Sequence, residues 1–129
     1  MQNKIRILLL LSLSYIGIPA TNGFCESEVI EVDCASITSP SIISLKEYSF
    51  DPKIATIKAG DVIKWVNVDS TSHMVTSGNP GDKDAGEVFS LGFITPNKFK
   101  CLQFKKPGSY IYHCRAHGNL MKDGKVIVE

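Results

Sequence analysis

Near its end the chain reads "YIYHCRAHGNLMKDGKVIVE", which sets a cysteine, a histidine and a methionine within eight residues, directly after a run of strand-forming aromatics. Cys114, His117 and Met121 offer a thiolate, an imidazole and a thioether. Soft sulfur donors suit Cu(I), and imidazole accepts either copper oxidation state. Two histidines and a cysteine in a plane, with a weak axial methionine, make the geometry of a one-electron copper centre. The spacing C-x2-H-x3-M supplies three of those four ligands and lacks the second histidine.

Only three histidines are available: His73, His113 and His117. His113 precedes Cys114 on a strand, so their side chains point to opposite faces and cannot share a metal. It is expected to face outward, where it borders a partner or titrates near neutral pH. His73 is left. It follows the strand "DVIKWVNV" and opens "HMVTS", which would bring it to the same end of the fold as Cys114.

The elements that must position these residues read as β from about residue 42 onward, in short segments broken by turn residues at intervals of roughly ten. "IISLKEYSF" stops at Asp51-Pro52 and "ATIK" at Ala59-Gly60. "DVIKWVNV" alternates Val62, Lys64, Val66 and Val68 with Ile63, Trp65 and Asn67. "SGNPGDKDAGE" is a loop by composition. "FSLGF", "NKFKCLQF", "YIYHC" and "GKVIVE" complete the strands, and no stretch carries a helical period. The pattern implies an all-β domain of two packed antiparallel sheets. Trp65 and Phe104 belong to its core, and Asn67 supports a turn through side-chain bonds to backbone.

"FDPKIATIKAGDVIKWVNVDSTSHMVTS", "FSLGFITPNKFKCLQFKKPGSYIYHC" and "HGNLMKDGKVIV" together resemble the cupredoxins, in particular the plastocyanin, pseudoazurin and amicyanin group of small blue copper proteins. The resemblance covers residues 42–129 and implies a Greek-key β-sandwich holding one type 1 copper ion. By that likeness His73 and His117 bind through imidazole, Cys114 through thiolate and Met121 axially. Three positions depart from the family's habit. Met74 follows the first histidine and has no side-chain donor to offer the ligand loop, as an asparagine would. His113 stands where an aromatic usually precedes the cysteine, and the H-x3-M interval matches the azurin ending, where leucine also precedes methionine.

The N-terminus reads differently. "MQNKIR" is basic, "ILLLLSLSYIGIPA" is apolar, and "TNG" is small and polar, the layout of a secretory signal peptide over residues 1–23. An apolar run of about 14 residues is short of the roughly 20 that a spanning helix needs, so export with cleavage is expected and a periplasmic location with it. Phe24 stands before Cys25 where a lipoprotein site has a small residue. Residues 24–41 form an arm outside the resemblance, and its acids Glu26, Glu28, Glu31 and Asp33 read as a solvated cluster. With Cys114 taken as a ligand, either Cys34 with Cys101 or Cys25 with Cys34 can form a disulfide. Cys101 itself reads as a core thiol or as a bridge to Cys34.

Composition excludes several functions. Without residues 1–23 the chain has 12 Lys and Arg against 13 Asp and Glu, so no bulk charge favours nucleic acid or an anionic membrane. A copper oxidase or nitrite reductase needs further histidines for a catalytic metal, and only His113 is spare. A Cys–His hydrolase would need an orienting residue and an oxyanion site, and neither is evident. The reading is therefore a monomeric electron carrier, not an enzyme, that meets redox proteins briefly through the surface near His117, with Leu120 and Pro80 in the docking patch. Copper storage or delivery is the alternative, on the ground that Met74 beside His73 could add a soft donor.

Overall fold

The computed structural model describes residues 16–17 and 26–129. The rest of the expected leader, and Cys25, lie outside the described residues. Among the described residues ten strands build two sheets. The first has the order β1 (Val29–Val32), β8 (Phe99–Phe104), β5 (Val62–Asn67), β2 (Ser41–Lys46) and β3 (Ser49–Asp51). The second runs β4 (Ile54–Ile57), β10 (Gly124–Val128), β9 (Gly108–Cys114), β6 (His73–Ser77) and β7 (Ser90–Ile94). Among the described residues, helix is confined to single 3-10 turns at Cys34–Ser36 and Gly118–Leu120.

This is the two-sheet sandwich that the β pattern implied, with one difference. The sheets are mixed, because β2 runs parallel to β5 and β10 parallel to β4. β3 and β4 intervene between β2 and β5, and β5 to β9 between β4 and β10, so the parallel pairs need no helical crossover.

Alternation along β5 sets the core. Ile63, Trp65 and Asn67 are wholly buried, and the Trp65 ring lies against Phe89, Phe104 and Tyr112, the last edge-on at 5.6 Å between centroids. Tyr112 in turn fits over Gly124, where an added Cβ would come within 2.5 Å of its ring and 2.9 Å of Phe50. Any side chain at 124 would displace the ring, which lies two residues from Cys114 on the same face of β9. The Tyr112 hydroxyl is pushed up by burial and so stays protonated. The packed aromatic layer gives β9 a rigid seat, and β9 carries the cysteine.

Two expectations about the chain's first third need correction. "IISLKEYSF" is not one strand but a hairpin of β2 and β3, with Lys46 opposite Ser49. Its two-residue turn uses Glu47 at φ 53° and Tyr48 at φ 54°, the left-handed pair that a tight hairpin demands and that usually falls to Asn and Gly. The second correction concerns the acidic arm. Val29–Val32 add to the sheet edge against β8, and Glu26, Glu28 and Glu31 pair with Lys105, Lys106 and Lys100. A Cys34–Cys101 disulfide fastens the segment. Cys101 is opposite Lys64 of β5, on the outer face, so it lies under the arm rather than in the core.

Candidate metal centre

One end of the sandwich gathers three of the four expected ligands, His73, Cys114 and His117. β6 begins at His73 and β9 ends at Cys114, and antiparallel pairing sets Val75 opposite Cys114. The two strand ends therefore reach the same pole. His73 Nδ1 lies 3.7 Å and His117 Nδ1 3.3 Å from Cys114 Sγ. These three donor atoms all fall within 4.8 Å of one another.

The loop after Cys114 closes on itself. The Cys114 amide donates to the Met121 carbonyl at 2.8 Å, the His117 amide to the Cys114 carbonyl at 3.1 Å, and the Leu120 amide to the His117 carbonyl at 3.1 Å. Gly118, at φ 53°, turns the chain where a side chain would be strained. Met121 is brought back into the core, 1% exposed.

The carboxylate of Asp69 organises both histidines. Its Oδ2 is 2.7 Å from His73 Nε2, which commits that nitrogen and leaves Nδ1 facing the sulfur. The same carboxylate accepts the backbone amides of Glu47 at 2.8 Å and Tyr48 at 3.4 Å, and so holds the left-handed hairpin turn. The turn sets the Tyr48 ring edge-on to His117 at 4.8 Å and to His73 at 5.9 Å. Burial raises the Asp69 carboxyl, but the bonds from Glu47, His73 and Tyr48 outweigh it and hold the group below its ordinary value. Asn67 secures the loop from which Asp69 projects. Its Nδ2 donates to the carbonyls of Thr71 at 2.7 Å and Ile94 at 2.8 Å, while its Oδ1 accepts the Asp69 amide at 2.9 Å. The turn-supporting role read for Asn67 is the one it has.

Electrostatics suit a cation with soft ligands. The Met74 amide donates to Cys114 Sγ at 3.2 Å, which favours the thiolate. The donor that Met74 lacks in its side chain is thus provided by its backbone. The His117 ring is pushed below its usual value, chiefly by burial and then by the neighbouring His73, against an opposing pull from Asp69. A lowered value favours the neutral ring that a metal requires. Thiolate, two imidazoles with free Nδ1 atoms and a buried apolar surround fit copper.

A family model described as copper binding proteins of the plastocyanin/azurin family matches residues 41–129. The chain belongs to that family. Relatives of the plastocyanin/azurin chain include amicyanin of Paracoccus versutus, 26% identical over 126 residues, covering 92% of this chain and 91% of the relative. Amicyanin-alpha of Methylorubrum extorquens is 32% identical over 104 residues, covering 79% of this chain and 80% of the relative. The crystal structure of the Paracoccus versutus amicyanin superposes with a TM-score of 0.64 at 25% identity, covering 81% of this chain and 100% of that one. Copper is accordingly the metal of this cupredoxin.

Two readings of single residues differ from what the fold does with them. His113 does point away from Cys114, but it is 3% exposed, not outward, and its Nδ1 meets the Gly78 carbonyl at 2.8 Å. The loop that follows Ser77 folds over the end of β9 at His113, with Pro80 and Ala85 lining the same recess. Met74 is opposite Phe93 of β7, which is 60% exposed, so its side chain leaves the sheet on the face away from His73. Asp69 and Tyr48 were not among the candidates. No motif marks them, since one acts four residues before a histidine in a loop and the other crosses from a different sheet.

Proposed function

We propose that the protein is an exported carrier of single electrons, with copper held by His73, Cys114 and His117 and, axially, by Met121. The observation that carries this reading is the convergence of two Nδ1 atoms and one buried Sγ at a single pole. Copper bound there contributes one-electron cycling between Cu(I) and Cu(II).

The chain's own residues supply the rest. His73 and Cys114 are both wholly buried on strand ends and packed over the aromatic core, so they exclude water and keep their positions whichever charge the metal carries. Little rearrangement on gaining or losing an electron means fast transfer. His117 lies on the loop at the surface beside exposed Leu120, and its ring edge is the natural contact for a partner. The third histidine, His113, is committed to the Gly78 carbonyl, which favours a carrier over a copper enzyme. Met74 faces away from the site, so no extra soft donor supports storage or delivery. The signal-peptide layout of residues 1–23 supports cleavage, a periplasmic location and a soluble monomer that meets redox proteins transiently.

A reductive titration of the copper-loaded protein, followed in the visible region, tests this. The expected result is loss of the thiolate-to-copper band with one electron per copper and full return on reoxidation. A band that fails to return, or metal released on reduction, would overturn the carrier reading.

A further inference from the structure

The pole that carries His117 has an apolar centre. Leu120 is 77% exposed and Tyr48, seated against the His117 ring, is 48% exposed. Around that centre are four exposed cations. Lys46 closes the β2–β3 hairpin next to the Tyr48 turn. Lys98 lies in the turn before β8, where its carbonyl takes the Asn67 amide. Arg115 follows Cys114, and Lys122 follows Met121. Among the described residues none of the four belongs to an ion pair.

The carboxylates of this pole are mostly engaged. Asp69 turns inward to His73, and Asp123 pairs with Lys53 at 3.8 Å. Glu47 stands exposed beside Lys46, and Asp82 shares a recess with Lys83, Arg115 and Gly118; among the described residues neither carboxylate belongs to an ion pair. Elsewhere Glu26, Glu28 and Glu31 take up Lys105, Lys106 and Lys100 at the edge strand. Asp84 and Glu87 lie further along the loop flanking the second sheet. Residues 26–129 hold 12 basic and 13 acidic side chains, yet this pole sets Lys46, Lys83, Lys98, Arg115 and Lys122 against Glu47 and Asp82 and is positive.

Resting on the electron-carrier reading above, we propose that this pole is a docking face for a redox protein with an acidic surface around its own electron-exchange centre. The apolar middle permits close approach at His117, and the cationic collar steers and orients the encounter. Contacts of this kind raise association rates more than affinity, as a carrier that must leave quickly requires.

The test uses small redox probes of opposite charge in place of the partner. The reduced copper protein gives one electron to hexacyanoferrate(III), forming hexacyanoferrate(II), or to tris(phenanthroline)cobalt(III), forming the cobalt(II) complex. Raising ionic strength from about 0.01 M to about 1 M shrinks the Debye length from about 30 Å to about 3 Å. The proposal expects the anion's rate to fall roughly 10-fold over that range and the cation's rate to stay level or rise. Lys46→Glu with Lys98→Glu should remove the anion's salt dependence with the visible band unchanged, and Lys105→Glu with Lys106→Glu should preserve it.

A second readout does not depend on electron transfer. Redox-inert hexacyanochromate(III), added to the reduced protein, should broaden amide resonances around Lys46, Lys98, Arg115 and Lys122. A salt response that follows the slight net negative charge, or broadening centred on Lys105 and Lys106, would overturn the proposal. Loss of the visible band in the intact protein would instead sink the carrier reading, and the broadening map would still decide the basic face.

Discussion

His73 and His117 offer the same nitrogen to the same sulfur from opposite kinds of structure. His73 opens a strand, is wholly buried and has its far nitrogen locked at 2.7 Å by Asp69. His117 stands in a loop closed by backbone bonds, is partly exposed, and has no carboxylate on its ring, which rests against the edge of Tyr48 and the ring of His73. A metal centre that trades electrons with other proteins needs both conditions. The inner half must resist rearrangement and exclude water, whereas the outer half must come within reach of a partner. Asp69 links the halves, since one carboxylate fixes His73 directly and His117 through the Glu47–Tyr48 turn.

The sharpest way to break this comparison is to remove each ring in turn. His73→Gly should lose the visible copper band, and added imidazole should not restore it, because the cavity is sealed from solvent. His117→Gly should also lose the native band, but imidazole should enter from the surface and restore it. Spectra with and without imidazole decide the matter, and equal rescue of both variants would refute the inner–outer distinction.

Asp69→Ala should act on both halves. Removing the outer partner of a ligating histidine typically costs about 10–100-fold in metal affinity, and here the hairpin turn is loosened as well. Competition with a chelator of known copper affinity measures the loss. Tyr48→Ala should have a smaller effect of the same sign, since it takes away ring packing and leaves every ligand in place.

Cys34 and Cys101 provide the contrast, for they lie outside the metal pole. Replacing both with serine should lower stability by about 2–5 kcal/mol while the visible band is unchanged. Denaturant unfolding and an optical spectrum of one sample show both.

Acid should also act through Asp69. The folded protein holds its carboxyl below the ordinary value of 3.8, so as pH falls the unfolded chain takes up this proton first. The contribution is whole above that ordinary value and is lost as pH falls through the folded value. Unfolding measured across this range should show a shallower acid limb in Asp69→Asn than in the native chain.

How far the sequence foretold this arrangement depended on whether a residue acts through its own neighbours. The gathering of His73, Cys114 and His117 was legible, because Cys114 and His117 lie on one loop and only three histidines exist. The strands were legible where apolar residues alternated, even imperfectly, as in β5. The Glu47–Tyr48 hairpin was not. Two residues with ordinary side chains adopt positive φ there because Asp69, more than 20 residues away, accepts their amides. The burial of His113 was hidden for a similar reason, since parity tells which face a residue takes but not whether a loop later covers that face. The docked arm, too, depended on partners in β8 some 70 residues further along the chain.

The central claim is that Cys114 thiolate and two imidazoles at one pole form a redox copper site. Its most direct test is the optical spectrum after Cu(II) addition to the native protein and to Cys114→Ser. An intense visible band in the native protein, bleached by a reductant and absent from a folded Cys114→Ser variant, is the outcome expected. A native protein that is folded, with Cys114 reduced, and shows no such band would contradict it.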